Sequence, residues 1–207
     1  MSDDRAYGVL SELLPDVQAG LITVLAAARR CADLIGRREG WRPDPVTVMV
    51  CRDLRTVPAL ALPRGLALRP VRRLPDDVPN GVPLEDAVEA AMLASSAIHD
   101  PPEVLANYLR GLPSAFRLLV AVDGDGAVRA TAGSGAFGNE GTVIFVNTDP
   151  DWRGRGIGRA MTAAALRSAA DSGARRASLD ASDAGRSIYE RLGFETVGRA
   201  TRFFHTS

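Results

Sequence analysis

Apolar residues recur at helical spacing near the start of the chain. From Asp16 onward, Val17, Leu21, Val24, Leu25, Ala28, Ala32 and Ile35 line one face, and Gly40, Trp41 and Pro43 end the run, which predicts a helix. The next stretch, "PVTVMVC", alternates instead. Val46, Val48 and Val50 take one face of a strand and Thr47, Met49 and Cys51 the other, so both faces are expected to be covered. Pro58 and Pro63 in "VPALALPR" interrupt any regular element and mark a division of the chain.

After Gly65 the pattern mixes both periods. "GLALRPVRR" reads as a strand and "LEDAVEAAMLASSAI" as a helix with Val88, Met92 and Leu93 on its apolar stripe; a shorter helix follows Pro101 and Pro102. "FRLLVAV" and "AVRATAGSGAFG" flank "DGDG", a hairpin whose Gly124 and Gly126 supply positive φ. "GTVIFVNTD" adds a third strand. A helix from about Gly158 to Ser172, the strand "RRASLDA", the short helix "AGRSIYERL" and the strand "FETVGRATRFFH" complete the order β-α-α-β-β-β-α-β-α-β. The expected class is α/β (α+β): a mixed, mostly antiparallel central sheet flanked by helices over 65–207, preceded by a helical extension with one strand over 1–62. No 20-to-50-residue period signals a repeat array.

Composition narrows the function classes. The 207 residues include 25 Lys+Arg against 25 Asp+Glu, with 46% hydrophobic and 24% charged residues, the profile of an ordinary globular protein. Such a balance gives no bulk electrostatic case for nucleic acid, and the local group Arg69, Arg72 and Arg73 reads as a solvated face. Two cysteines, Cys31 and Cys51, are too few for a disulfide scaffold or a four-thiolate metal site and suggest reduced thiols. "AGLITVLAAA" is followed at once by Arg29 and Arg30, too short to span a bilayer, and "MSDDRAYG" lacks the basic start of a signal peptide. A cytoplasmic location, with no metal and no membrane partner, is the expectation.

The densest chemistry lies in "DPDWRGRGIGRAM". Gly154, Gly156 and Gly158 alternate with Arg153, Arg155, Ile157 and Arg159 just before an alanine-rich helix. A helix starts with unpaired N–H groups and the positive end of its dipole, so bare backbone there suits a pyrophosphate; a tight strand-to-helix turn would also use the glycines. The dinucleotide pattern G-x-G-x-x-G fails at Arg159. The P-loop pattern fails for want of Lys, with Ala160 following Arg159.

Arg153, Gly156 and Gly158 stand as R-x-x-G-x-G, and "SIYERLGF" follows about thirty residues later. On these two ordered motifs, the chain from about Gly65 to its C-terminus resembles the GCN5-related N-acetyltransferase family. The resemblance implies an acetyl-coenzyme A site with the pyrophosphate over Arg153, Gly154, Arg155, Gly156, Ile157, Gly158 and Arg159. It implies that the pantetheine arm pairs with Val146, Asn147 and Thr148 where the sheet splays, and that the N–H of Val146 faces the thioester oxygen as an oxyanion donor. Tyr189 takes the place of the general acid, rotated off a core stripe formed by Ile188 and Leu192. Ser182 stands where the family often has Asn, and Gly185 where Ala is common; Ser182 then either bonds the pantetheine or caps the helix, and Ser187 and Arg186 share that helix.

The general base stays open among Asn147, Asp149, Asp180, Glu140 and His99, with Asp149 read first as a turn residue and His99 as a cap or surface residue. Trp152 is read as the anchor of the loop, and one of Phe203 and Phe204 as core. The implied reaction is transfer of an acetyl group to a primary amine, on a small molecule or a peptide, by direct attack in a ternary complex. A non-catalytic acyl-coenzyme A sensor or interaction module is the alternative. The N-terminal segment has three readings: a remnant of a duplicated half, a homodimer contact, or a cover for the sheet edge.

Overall fold

The computed structural model describes residues 21–25, 29–37, 39–73, 78, 80–94 and 102–205. Two compact units account for the chain: residues 1–49, 180–186 and 196–207 form the first, and residues 50–179 and 187–195 the second.

The first unit is built around the strand β9 (Glu195–His205). β1 (Leu21–Leu25) pairs with it antiparallel, from Leu21 opposite Phe204 to Leu25 opposite Ala200. β2 (Trp41–Cys51) lies on its other side. A helix, α1 (Arg29–Gly36), joins β1 to β2. Where a continuous helix was expected from Asp16 to Ile35, the described residues form a strand and a shorter helix, and among the described residues up to 62 there are two strands where one was expected. "LITVL" satisfies a helical period, yet it is rich in β-branched residues, and pairing with β9 decides the conformation. β2 behaves as expected over its second half: Val46, Thr47, Met49 and Cys51 are buried and Val48 and Val50 half-buried. Phe203, with 3% of its surface exposed, is the core member of the Phe203–Phe204 pair. Arg202 clamps Asp44 across the unit, its Nε at 3.1 Å from Oδ2 and a terminal nitrogen on the same oxygen.

Because β1 and β2 supply both neighbours of β9, a chain lacking residues 1–62 is expected to lose the first unit's structure, since β9 would expose two unpaired edges. Circular dichroism and limited proteolysis of the truncated chain check this; a protease-resistant C-terminal strand would refute it.

In the second unit the strand order is β8-β7-β6-β5-β3-β4. The strands are β3 (Ala67–Arg72), β4 (Val82–Pro83), β5 (Phe116–Val122), β6 (Val128–Phe137), β7 (Glu140–Thr148) and β8 (Arg176–Ala181). Pairs β3–β5, β5–β6 and β6–β7 are antiparallel, while β7–β8 and β3–β4 are parallel. Helices α2 (Leu84–Ala94), α3 (Pro102–Gly111), α4 (Ile157–Asp171) and α5 (Arg186–Glu190) stand where they were expected, and the two-residue β4 is an addition to the expected order.

Period-two alternation assigns the two faces. Leu118, Val120 and Val122 of β5 pack with Leu84, Ala87 and Val88 of α2 and Ala106 and Leu109 of α3. Arg117 and Leu119 point the other way, lining a cleft with Ala164, Arg167 and Ser168 of α4. Burial follows the alternation along most of β5, and the helices cover both faces of the sheet. On α2 the stripe is Leu84, Ala87, Val88, Ala91 and Ala94, and Leu93 is 76% exposed, which corrects its expected place in the core. The small alanines set that stripe; Leu93, five residues from Val88, falls well off it. The rest of that expected helix, residues 95–98, and His99 after it lie outside the described residues. In the β5–β6 hairpin only Gly126 has positive φ, at +84°, and Asp123 Oδ1 accepts from the N–H groups of Asp125 and Ala127, each at 3.0 Å.

Candidate active site

α4 begins without a side-chain cap. Its N-cap is Gly156 at φ +79°, and Gly154 just before it sits at φ +76°; a Cβ at either would meet open space. Left-handed backbone is the physical demand here, and glycine meets it without strain. The first main-chain bond of the helix runs from the Ala160 N–H to the Gly156 carbonyl at 3.1 Å. The N–H groups of Ile157, Gly158 and Arg159 are thus the unbonded donors of the first turn, at the positive end of a 15-residue helix. Ile157 is buried and anchors that turn, while Thr162, fully buried, returns its hydroxyl to the Gly158 carbonyl at 2.8 Å.

Gly158 is where three elements meet. A Cβ built on it would lie 3.4 Å from Thr148 Oγ1 at the end of β7 and 3.5 Å from Ile188 Cδ1 of α5. The signature glycine, the splayed strand and the second-motif helix are therefore one constellation. α5 turns differently from expectation. Tyr189, at 8% exposure, is buried together with Leu192 and Phe194, while Ile188 is half-buried and faces Gly158. The Tyr189 ring meets Phe194 edge-on at 6.0 Å, and its carbonyl accepts from the N–H groups of Leu192 at 2.9 Å and Phe194 at 3.1 Å. The short helix ends there, so tyrosine, not isoleucine, shares the core with Leu192.

β7 opens the sheet. Its register with β8 runs Glu140–Arg176, Gly141–Ala177 and Thr142–Ser178 and then stops, although β7 continues to Thr148. On the other side, Thr131 faces Asn147 and Gly133 faces Ile144, so β7 carries one extra residue between these pairs: a bulge. Phe145 within it has φ +59°. For an aromatic residue this is strained, at a cost of about 1–3 kcal/mol, and it is sustained by the buried Thr131, whose hydroxyl donates to the Phe145 carbonyl at 2.7 Å. The Asn147 side-chain amide donates to the same hydroxyl at 3.3 Å. The sequence reading predicts neither the bulge nor a role for Thr131; the signal for it is a polar side chain among the small residues of β6, a feature that the buried Ser134 shares. Val146, Asn147 and Thr148 are half-buried along the opened edge.

The arginines divide their work. Arg153 Nε donates to the Thr148 carbonyl at 3.1 Å and a terminal nitrogen to the Ala94 carbonyl at 2.5 Å, tying the loop to β7 and to the C-terminus of α2. Two of its three guanidinium nitrogens thus brace the loop. Arg155 lies over the Trp152 ring at 4.8 Å and Arg129 over it at 5.2 Å, which makes Trp152 the anchor the sequence suggested. Arg159 is exposed on the first turn. Ser182 belongs to the first unit, where its hydroxyl and carbonyl accept from the Gly185 N–H at 3.3 and 3.0 Å, the capping use of the two left open. Ser187 is exposed on α5.

Two of the base candidates are otherwise engaged. Asp149 caps the 3-10 turn Pro150–Trp152, its Oδ1 accepting from the Asp151 N–H at 3.0 Å and its Oδ2 from Arg129 at 2.9 Å. Glu140 pairs with Arg176 at the opposite end of β7, roughly 26 Å away along a nine-residue strand. Asp180 falls in the first unit. Arg129 also holds Asp123 at 2.7 Å, and this hydrogen bond keeps the Asp123 carboxyl below its usual range. A carboxyl lowered in the folded state adds stability above about pH 4 and loses it as pH falls through the lowered value. The melting-temperature gap between wild type and Arg129→Met should therefore narrow as pH is lowered from 7 toward 3, as read by scanning fluorimetry.

Among the described residues no group of three or more His, Cys, Asp and Glu could hold a metal ion, and no helix is long and apolar enough to cross a membrane. No curated protein matches the sequence. Among solved structures, the chain is similar to a GCN5-related N-acetyltransferase from Kribbella flavida, at 18% identity and TM-score 0.65, over 100% of this chain and 77% of that one. A GCN5-related N-acetyltransferase from Sphaerobacter thermophilus matches at 22% identity and TM-score 0.61, over 95% of this chain and 63% of that one. A tandem GNAT protein from the clavulanic acid biosynthesis pathway matches at 19% and 0.61, over 97% of this chain and 67% of that one. These likenesses are of fold. The family model for the acetyltransferase (GNAT) domain matches residues 114–196, a stretch running from the start of β5 through the opened strand, the glycine-arginine loop and Tyr189, and it is over this stretch that the chain carries the family's pattern.

Proposed function

We propose that this protein is an acetyl-coenzyme A-dependent N-acetyltransferase that acts on a primary amine of a small molecule or peptide in a ternary complex. The single observation that carries the reading is the convergence at Gly158 of the uncapped start of α4, the end of β7 and α5. Acyl transfer from a thioester needs an anchored carrier, a donor for the developing oxyanion and a proton for the departing thiolate. The N–H groups of Gly156 to Arg159 supply the anchor for a pyrophosphate, with Gly154 and Gly156 keeping side chains away from it and Arg155 and Arg159 adding positive charge.

The edge of β7 that has parted from β8 offers backbone groups of Val146 and Asn147 to an extended pantetheine, by the same hydrogen bonding a strand would use. In this reading the Val146 N–H polarises the thioester carbonyl, the carbon–nitrogen bond forms as the carbon–sulfur bond breaks, the Tyr189 hydroxyl protonates the departing sulfur, and the proton the amine loses passes through water and restores the tyrosine. Ser187, exposed on α5 one residue before Ile188, is the serine of this reading's carrier site. The enzyme works in the cytoplasm, and residues 1–62 serve to complete the strand pairing of β9.

Titration calorimetry with acetyl-coenzyme A tests the anchor, and a screen of amine acceptors read by thiol release tests the transfer. Binding together with amine-dependent release is expected; absence of any heat of association overturns the proposal.

A further inference from the structure

Thr131 is the residue that aims the oxyanion donor, we infer; this rests on the acyl-coenzyme A reading above. The peptide joining Phe145 to Val146 is trans, so its carbonyl and its N–H point in opposite directions. The carbonyl is held by the Thr131 hydroxyl at 2.7 Å, on the β6 side of β7. The Val146 N–H accordingly points away from β6, toward the edge that β8 has left after Thr142. An ordinary antiparallel register would not fix this plane, because the bulge breaks the ladder between the Thr131–Asn147 and Gly133–Ile144 pairs. A side chain has to do so.

Thr131 is suited to the task. It is 1% exposed, its hydroxyl has one hydrogen to donate, and the Asn147 amide at 3.3 Å occupies an acceptor site of the oxygen, which leaves the Phe145 carbonyl as the target of that hydrogen. The chain Asn147–Thr131–Phe145 holds the positive φ of Phe145 in place, and the strain it sustains keeps the Val146 N–H directed before substrate arrives. Thr131 is therefore a positioning residue. It acts through the backbone and touches no reacting atom.

The test compares acetyl-coenzyme A with coenzyme A, which lacks the acyl carbonyl. In Thr131→Val the hydroxyl is replaced by a methyl of similar size; calorimetry should show acetyl-coenzyme A binding weakened about fivefold, the worth of one hydrogen bond, with coenzyme A binding unchanged. Thr131→Ser should restore the wild-type preference. With a 13C-labelled thioester carbonyl, infrared difference spectra should show a lowered C=O stretch in wild type and in Thr131→Ser, and not in Thr131→Val. Equal weakening of both ligands, or no change in either, overturns the inference and leaves the acetyltransferase reading standing. A wild-type protein that binds neither ligand overturns the functional reading, and this inference with it.

Discussion

Tyr189→Phe should lower kcat by roughly 10²–10⁴, the usual worth of a general acid, and leave the affinity for acetyl-coenzyme A within a factor of about two. The substitution deletes one oxygen and keeps the ring, so the edge-on contact with Phe194 at 6.0 Å persists and the fold should be retained. Thiol-release kinetics and calorimetry on the same preparation check the two halves of this result. Loss of activity with unchanged binding supports the role in protonating the departing sulfur. Unchanged kcat would remove Tyr189 from the chemistry and favour a protein that senses the carrier without turning it over.

Substitutions of the loop glycines should separate ligand binding from stability. Gly158→Ala places a Cβ at ordinary contact distance from Thr148 Oγ1 and Ile188 Cδ1, and alanine is the better helix former by up to about 1 kcal/mol, so the melting temperature should hold or rise. The same methyl occupies the point where strand, loop and helix converge. If it displaces a phosphate from one N–H, affinity should fall roughly tenfold or more, since a hydrogen bond to a charged group contributes about 1.5–3 kcal/mol. Gly158→Val should abolish binding. Gly156→Ala should behave in the opposite sense: with φ +79° it forces a side chain into left-handed backbone at a cost of about 1–2 kcal/mol, lowering the melting temperature. Gly158→Ala with full affinity would mean that the ligand does not approach this turn.

Much of the second unit was legible in the sequence. Alternation in "FRLLVAV" and the turn at Gly126 predicted the β5–β6 hairpin, and the glycine-arginine loop predicted an exposed helix start. Tyr189 was found through the motif around it. Its burial was not: helical spacing put Ile188 with Leu192, whereas α5 is only five residues long and its end turns Tyr189 inward with Phe194. Arg153 was read as a phosphate ligand by its motif, and its guanidinium proves to brace Thr148 and Ala94, the latter 59 positions away. No local pattern reports a partner at that distance.

By itself, the sequence determined what depends on neighbours within one turn of chain: the left-handed glycines before α4, the uncapped N–H groups of its first turn, and the alternation of β5. Only the tertiary structure decided that "LITVL" is a strand, that β7 parts from β8 after Thr142, and that Thr131 holds the bulge at Phe145. Those outcomes rest on register and hydrogen bonds between residues distant in sequence. Hydrophobic period constrains which side of an element is buried, but it is silent on which strand will satisfy its backbone groups.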